Sequence, residues 1–415
     1  MISSGLRPLT IFELTPSLSA FRYICKLLES DDYRFCESAH DADILSVTLL
    51  DQALLAQTLR QYVGSLDPKL PYSSTRHTAL KLLVDYSGEA FFPNTAQIRE
   101  LCHESLRLGF GNQDRICILS QNTNVEPLNL LVNQNLAVLF NSLEDAPTIA
   151  FASCNSGPVL FSLAKRERGE WSPEKSLALS FRKSLDRDRA QAIALSNKIK
   201  THKLATLLIL SRRLGLASLT FSLNEGASKL PYAEINTIRK ICDQLGATHS
   251  DADFDVALMA LNPTINESSL SRGDMANGPT NFDNTANCAL HVVIESEMSK
   301  DVYRVTEKSV KPFAEMLPPV YFGNPFTVDS MRQLGFDTFD DFINHDYDRI
   351  FDPVTRIDMA SKECVRALSY FRDEGWNDSF FERLNSNHSN LVYMAEDWWN
   401  SQYFHHMIRE FFANS

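Results

Sequence analysis

The chain has 415 residues, with 40 Lys and Arg against 52 Asp and Glu, and its net charge of −12 excludes broad electrostatic binding to nucleic acid or anionic lipid. That length exceeds one ordinary core and predicts two domains, and 44% hydrophobic residues, 26 of the total being Phe, supply the area to bury. Eight cysteines lie scattered through apolar runs without a C-x-x-C pair, which excludes a patterned disulfide framework and reads as reduced core residues.

The first third alternates short apolar runs with helical spacing. PLTIFEL (8–14), ADILSVTLL (42–50), KLLVDYS (81–87), RICILSQ (115–121) and TIAFAS (148–153) read as strands. SLSAFRYICKLLES (17–30), DQALLAQTLRQYVG (51–64) and TAQIRELCHESLRLGF (95–110) read as helices. Such alternation is the pattern of a mostly parallel α/β sheet. AKRERGEWSPEKS (164–176) is polar, holds Gly and Pro, and reads as a domain boundary or a crossover.

Alternation then resumes, with strands at AQAIALS (190–196), ASLTFSL (217–223) and ALHVVIES (289–296) and helices at HKLATLLILSRRLGL (202–216) and YAEINTIRKICDQLG (232–246). Residues 248–288 are rich in Asn, Asp and Ser and read as an irregular excursion. Residues 358–413 are helical and aromatic, and the adjacent His405 and His406 would point about 100° apart on a helix, so they make no two-ligand site. The expected architecture is α/β: two facing Rossmann-like domains, 1–165 and 176–357, with a helical tail at 358–415 packing across them. In open α/β sheets ligands bind beyond the carboxyl ends of the strands, which directs the search for chemistry.

Three stretches at such ends could carry it. Thr306 is the expected N-cap of a helix beginning at Glu307, whose free N–H groups and dipole suit a phosphate. Lys308 adds a point charge, Lys311 lies a turn further on, and Glu307 has the chemistry to accept from a ribose diol. The same pattern also describes a capped helix with a solvated first turn. SNKIKTHK (196–203) crowds Asn197, Lys198, Lys200, His202 and Lys203 at a strand-to-helix loop, either a diphosphate clamp or a basic turn. VDYSGEAFF (84–92) offers Glu89, and next Asp85, as a general base, or as loop caps. NHDYDRIFD (344–352) holds Asp346, Asp348, Asp352 and His345 in a spacing that fits neither a calcium loop nor a zinc pattern. These read as solvated loop acids, and no metal is expected.

VTEKSVKP (305–312), VYFGNP (320–325), MRQLGFDTF (331–339) and NHDYDRIFDPVTR (344–356) together resemble the nucleotide-sugar motif of the α1,3-fucosyltransferases, written Y-V-T-E-K. They look closer still to glycosyltransferase-like proteins of large phages and viruses, in which SNKIKTHK resembles an N-R-R-x-R-x-H-R segment with Lys for several Arg. The resemblance covers about 50 residues. It implies a fold of the GT-B type and a donor nucleotide whose ribose and phosphates meet Glu307 and Lys308. The family's aromatic residue three before the Glu is Arg304 here, a departure that bears on which sugar and base are carried.

The resulting expectation is a metal-independent glycosyltransferase. It would move a sugar from a nucleoside-diphosphate donor to a hydroxyl on a glycan, protein or modified nucleic acid. No cofactor is expected, since the nucleotide-sugar is a substrate. Two other classes fit the same residues: a nucleotide- or glycan-binding protein without turnover, and a structural interaction protein using its aromatic tail. No charged–apolar–small leader opens the chain and no apolar run nears the roughly 18 residues that span a bilayer. A soluble, cytoplasmic protein without integral membrane association is therefore expected.

Overall fold

The computed structural model describes residues 9–13, 33–37, 42–48, 55–58, 80–86, 93–120, 125–140, 142–153, 156–196, 199–223, 230–261, 285–300, 303–400 and 411–412. The chain divides into two compact units, Met1–Leu163 with Ala395–Ser415, and Ala164–Met394. Both are α/β, each built on a parallel sheet.

In the first unit, strands β1 (Leu9–Glu13), β2 (Tyr33–Phe35), β3 (Ile44–Thr48), β4 (Lys81–Tyr86), β5 (Arg115–Ser120) and β6 (Thr148–Ser153) pair in the order β2-β1-β3-β4-β5-β6. Alternate residues of each strand feed two cores. Leu45, Val47, Leu82, Val84, Ile116 and Ile118 pack with helices α2 (Thr95–Arg107) and α3 (Glu126–Leu139). Ile44, Leu83, Cys117 and Leu119 pack on the opposite face with Val159 and Leu163 of α4 (Ser156–Glu167) and with Phe412. The period of two along a strand thus fills both faces, as a sheet wound on both sides requires. Of the expected helix at 51–64, the described part is α1 (Leu55–Thr58), and the expected helix at 17–30 lies outside the described residues.

In the second unit, β7 (Gln191–Ser196), β8 (Leu219–Leu223), β9 (Cys288–Ile294) and β10 (Pro319–Phe322) pair in parallel in the order β10-β9-β7-β8. Every residue of β9 and β10 is buried, and so these strands read as unbroken apolar runs. Helix α6 (Thr201–Leu214) follows β7, and α9 (Glu307–Ala314) follows β9. Gly215 ends α6 at φ +78°, a conformation that favours glycine.

The structure corrects two sequence readings and fills in a third. The two units divide between Leu163 and Ala164, at the start of the polar stretch 164–176, and that stretch is helical, forming the last turn of α4 and the first of α5 (Trp171–Lys183). Lys165 is fully buried there because it meets Glu174 at 2.5 Å and Glu170 at 3.1 Å. After α7 (Tyr232–Gln244), the excursion at 248–288 contains a helix, α8 (Asp251–Ala260), capped by Ser250, which accepts from the Asp253 N–H. Asp348 is not a solvated loop acid. It is 3% exposed and accepts from the Val328 and Asp329 N–H groups at the start of α10 (Thr327–Gln333), and burial pushes it up to about 6.

Of the aromatic tail, α11 (Pro353–Glu374) lies in the second unit and packs on α6, β9 and β10. Its Arg356, 1% exposed, donates to the carbonyls of Gly323 (3.0 Å), Met298 (2.7 Å) and Ile350. One guanidinium thereby fastens the loops after β9 and β10. Arg356→Leu would leave three buried carbonyls unmet, and an expected cost of about 3 kcal/mol would show as a lower midpoint in denaturant unfolding.

Candidate functional site

The strand order sets where the site falls. The chain leaves β7 for β8 on one side, and β9 and β10 lie on the other. The connections from β7 and β9 therefore run in opposite directions, which opens a crevice beyond the carboxyl ends of those two strands. Helices α6 and α9 both begin there.

The starts of the two helices differ. Lys200, the N-cap of α6, gives no side-chain cap, so the first-turn N–H groups meet no capping oxygen from it. Thr306, the N-cap of α9, accepts from the Lys308 N–H at 3.2 Å, and its own N–H meets Ser309 Oγ at 3.4 Å. Each start carries the positive end of a helix dipole.

Between them lies the segment Glu295-Ser296-Glu297 at the end of β9. Lys308 Nζ donates to Ser296 Oγ at 2.7 Å, and Lys200 Nζ donates to the Ser296 carbonyl at 2.8 Å and pairs with Glu297. His202 Nε2 lies 2.9 Å from the Glu295 carbonyl. Burial pushes the His202 imidazole down to about 4, so it is neutral near pH 7 and donates from Nε2. His202 thus braces the helix start and adds no charge to it.

Lys203 is the exception in this cluster. It is 2% exposed, yet among the described residues its ammonium makes no hydrogen bond and no ion pair. Burial first, then Lys308 and Lys200, push it down to about 7, against Glu295 and Glu307. Glu307 pairs with Lys308 Nζ at 4.0 Å and makes no side-chain hydrogen bond among the described residues. A lysine without a hydrogen-bonded partner among the described residues, beside Lys200, Lys308 and two helix starts, has the chemistry to meet an anion. The Glu307 carboxylate can accept from neutral hydroxyls.

The structure therefore brings Lys200, His202, Lys203, Thr306, Glu307 and Lys308 together. Arg304 is half-buried in the segment leading to Thr306. Against the upward push of burial, His291 first and then the charges of Lys311 and Arg182 hold Glu315, the C-cap of α9, below its ordinary value. Asn197, Lys198 and Glu89 lie outside the described residues. Asp85 belongs to the first unit, 1% exposed near the end of β4 and in register with Thr48 and Leu119. Sequence reasoning missed Glu295. A carboxylate ending a seven-residue apolar strand was the available signal, because a charge that close to a core needs partners.

Among the described residues, no group of three or more His, Cys, Asp and Glu side chains is arranged to hold a metal, and no helix is long and apolar enough to cross a membrane. No family model matches the chain, and no curated protein matches its sequence. Among solved structures, a crystal structure of an α1,3-fucosyltransferase aligns with 95% of this chain and 82% of its own, at 9% identity and a TM-score of 0.36.

The Lys203 amine sets a pH dependence. Its folded pKa of about 7 lies below the ordinary 10.5, so between those values the unfolded chain holds a proton that the folded chain lacks. Lys203 thus makes stability rise with pH across that window, and below pH 7 its charged form costs stability in full. Lys203→Met should abolish the rise and stabilise the ligand-free protein by several kcal/mol near neutral pH, as denaturant midpoints at a series of pH values will show.

Proposed function

We propose that the second unit binds a nucleoside-diphosphate sugar at this crevice and that the protein transfers the sugar to an acceptor hydroxyl. The observation that carries the reading is Lys203, a residue 2% exposed whose amine feels Lys200 and Lys308 and, among the described residues, has no hydrogen-bond or ion-pair partner. In this reading the diphosphate lies against Lys203, Lys308 and the first turns of α6 and α9. Glu307 accepts from the ribose hydroxyls. The VTEK stretch, in its resemblance to α1,3-fucosyltransferases and to the phage and viral proteins, gives Glu307 and Lys308 the same roles.

Transfer breaks the bond between the sugar's anomeric carbon and the diphosphate oxygen and forms a bond from that carbon to the acceptor oxygen. The charge that develops on the leaving diphosphate falls where three lysines and two helix dipoles stand, which supplies its stabilisation in a metal-independent reaction. The acceptor proton needs a base, and this role is proposed for Glu89 of the first unit, with Asp85 second. The first unit is accordingly the acceptor side. A second reading, binding without turnover, is favoured by the commitment of Lys200 to Glu297 and Ser296, which leaves fewer free charges for the leaving group.

Thermal shift against UDP-, GDP-, ADP-, CMP- and dTDP-sugars tests the reading. One nucleotide at about 100 times its Kd should add about 2.7 kcal/mol of stability, with the shift lost in Glu307→Ala, Lys308→Ala and Lys203→Met. Because the phosphates meet Lys203 in its protonated form, binding should take up a proton above about pH 7 and weaken as the pH rises, which calorimetry in buffers of different ionisation enthalpy will measure. No shift with any nucleotide overturns donor binding. A shift without product in a transfer assay selects the second reading.

A further inference from the structure

We propose that Glu295 is the positioning residue of this site: its carboxylate and its carbonyl tie the starts of α9 and α6 to one strand end, and so fix where Glu307, Lys308 and Lys203 stand before a ligand arrives. The inference rests on the donor reading above and adds the residue that assembles the site.

Each polar group of Glu295 is engaged. Its Oε2 accepts from Thr306 Oγ1 at 2.8 Å and from the Ser296 N–H at 3.3 Å, and its Oε1 accepts from Ser309 Oγ. Two residues of the first turn of α9, its cap included, thus hang on one carboxylate. The Glu295 carbonyl takes the His202 bond and so holds α6, and its N–H donates to the Phe322 carbonyl at 2.9 Å, which ties in β10. Glu295 is 1% exposed and, among the described residues, forms no ion pair, so its carboxylate is met there by neutral donors.

Neighbouring sequence makes room for this side chain. A Cβ at Gly323 would lie 3.1 Å from Glu295 Cγ and 2.9 Å from Thr327 Oγ1. Gly323 therefore lets the carboxylate stem lie flat against the β10 turn.

The same charge acts on Lys203. Lys200 and Lys308 oppose the Lys203 proton, Glu295 and Glu307 favour it, and His202 is neutral. A purely structural residue would hold the helices without this second effect. Glu295 does both, so its charge and its shape can be separated by mutation.

The experiment is a titration of the Lys203 side-chain amine by NMR in ligand-free protein, joined to calorimetric titration with pyrophosphate and with nucleoside diphosphates. Glu295→Gln keeps the shape and removes the charge: the Lys203 midpoint should move to lower pH, and the alkaline loss of pyrophosphate binding should move with it. Gly323→Ala keeps the charge and displaces the carboxylate: pyrophosphate affinity should fall by roughly tenfold, the effect of about one charge-assisted hydrogen bond. Thr306→Val should weaken binding similarly, and Thr306→Ser, which restores the hydroxyl, should recover it. Melting curves separate these effects from unfolding.

An unmoved Lys203 midpoint in Glu295→Gln, with unchanged pyrophosphate affinity in Glu295→Gln and Gly323→Ala, overturns the inference. A midpoint that moves as expected in a protein that binds neither pyrophosphate nor nucleotides supports the hold of Glu295 on Lys203 and overturns the donor reading instead.

Discussion

One buried residue, Glu295, holds two helices to the end of one strand, α9 by its carboxylate and α6 by its carbonyl. Glu295 closes β9, and from there its side chain reaches Thr306 and Ser309 while its carbonyl reaches His202. Removing it would leave two hydroxyls and a backbone group unmet in a dry setting, which is costly. The arrangement stands because β9 is central and wholly buried, so its end is as fixed as any point in the unit. Chemistry placed on such a point inherits that rigidity.

The far end of α9 is anchored to the same strand. His291, four residues before Glu295 and so on the same face of β9, meets Glu315 at 2.6 Å, and both are buried. The helix that carries Glu307 and Lys308 is therefore pinned at its start and at its C-cap. Between the pins its half-buried first turn presents Glu307 and Lys308, whose charged groups stand 4.0 Å apart. Buried charges are ordinarily paired, as Lys165 is with Glu174. Among the described residues Lys203 has no such partner, and it stands at the crevice beyond the ends of β7 and β9.

Much of the framework was legible because apolar strands and cap residues are local features. The runs around 81–87, 115–121 and 289–296 mark strands that the structure contains, and Thr306 ahead of Glu307 marks a helix start that it also contains. The polar helix at 171–183 was not legible, since Lys165, Glu170 and Glu174 look solvated until their mutual pairing is seen. Asp348 misled for the same reason: its partners are N–H groups 20 and 19 residues earlier. Of the site, SNKIKTHK and VTEK were each visible as cationic or capped starts. That they meet was not, because the residue that joins them lies on a third segment.

By itself the sequence determined the α/β alternation, the apolar strands, the acidic balance and the identity of the groups able to meet a phosphate. These follow from periodicity, capping and charge, which act within a few residues. Tertiary structure decided which of those groups face one another and which are already satisfied. It paired Lys200 with Glu297, made His202 neutral and left Lys203, among the described residues, without a hydrogen-bonded or ion-paired partner. The physical reason is that burial and strand order are properties of contacts between distant segments, and a charge takes its protonation state and its availability from those contacts.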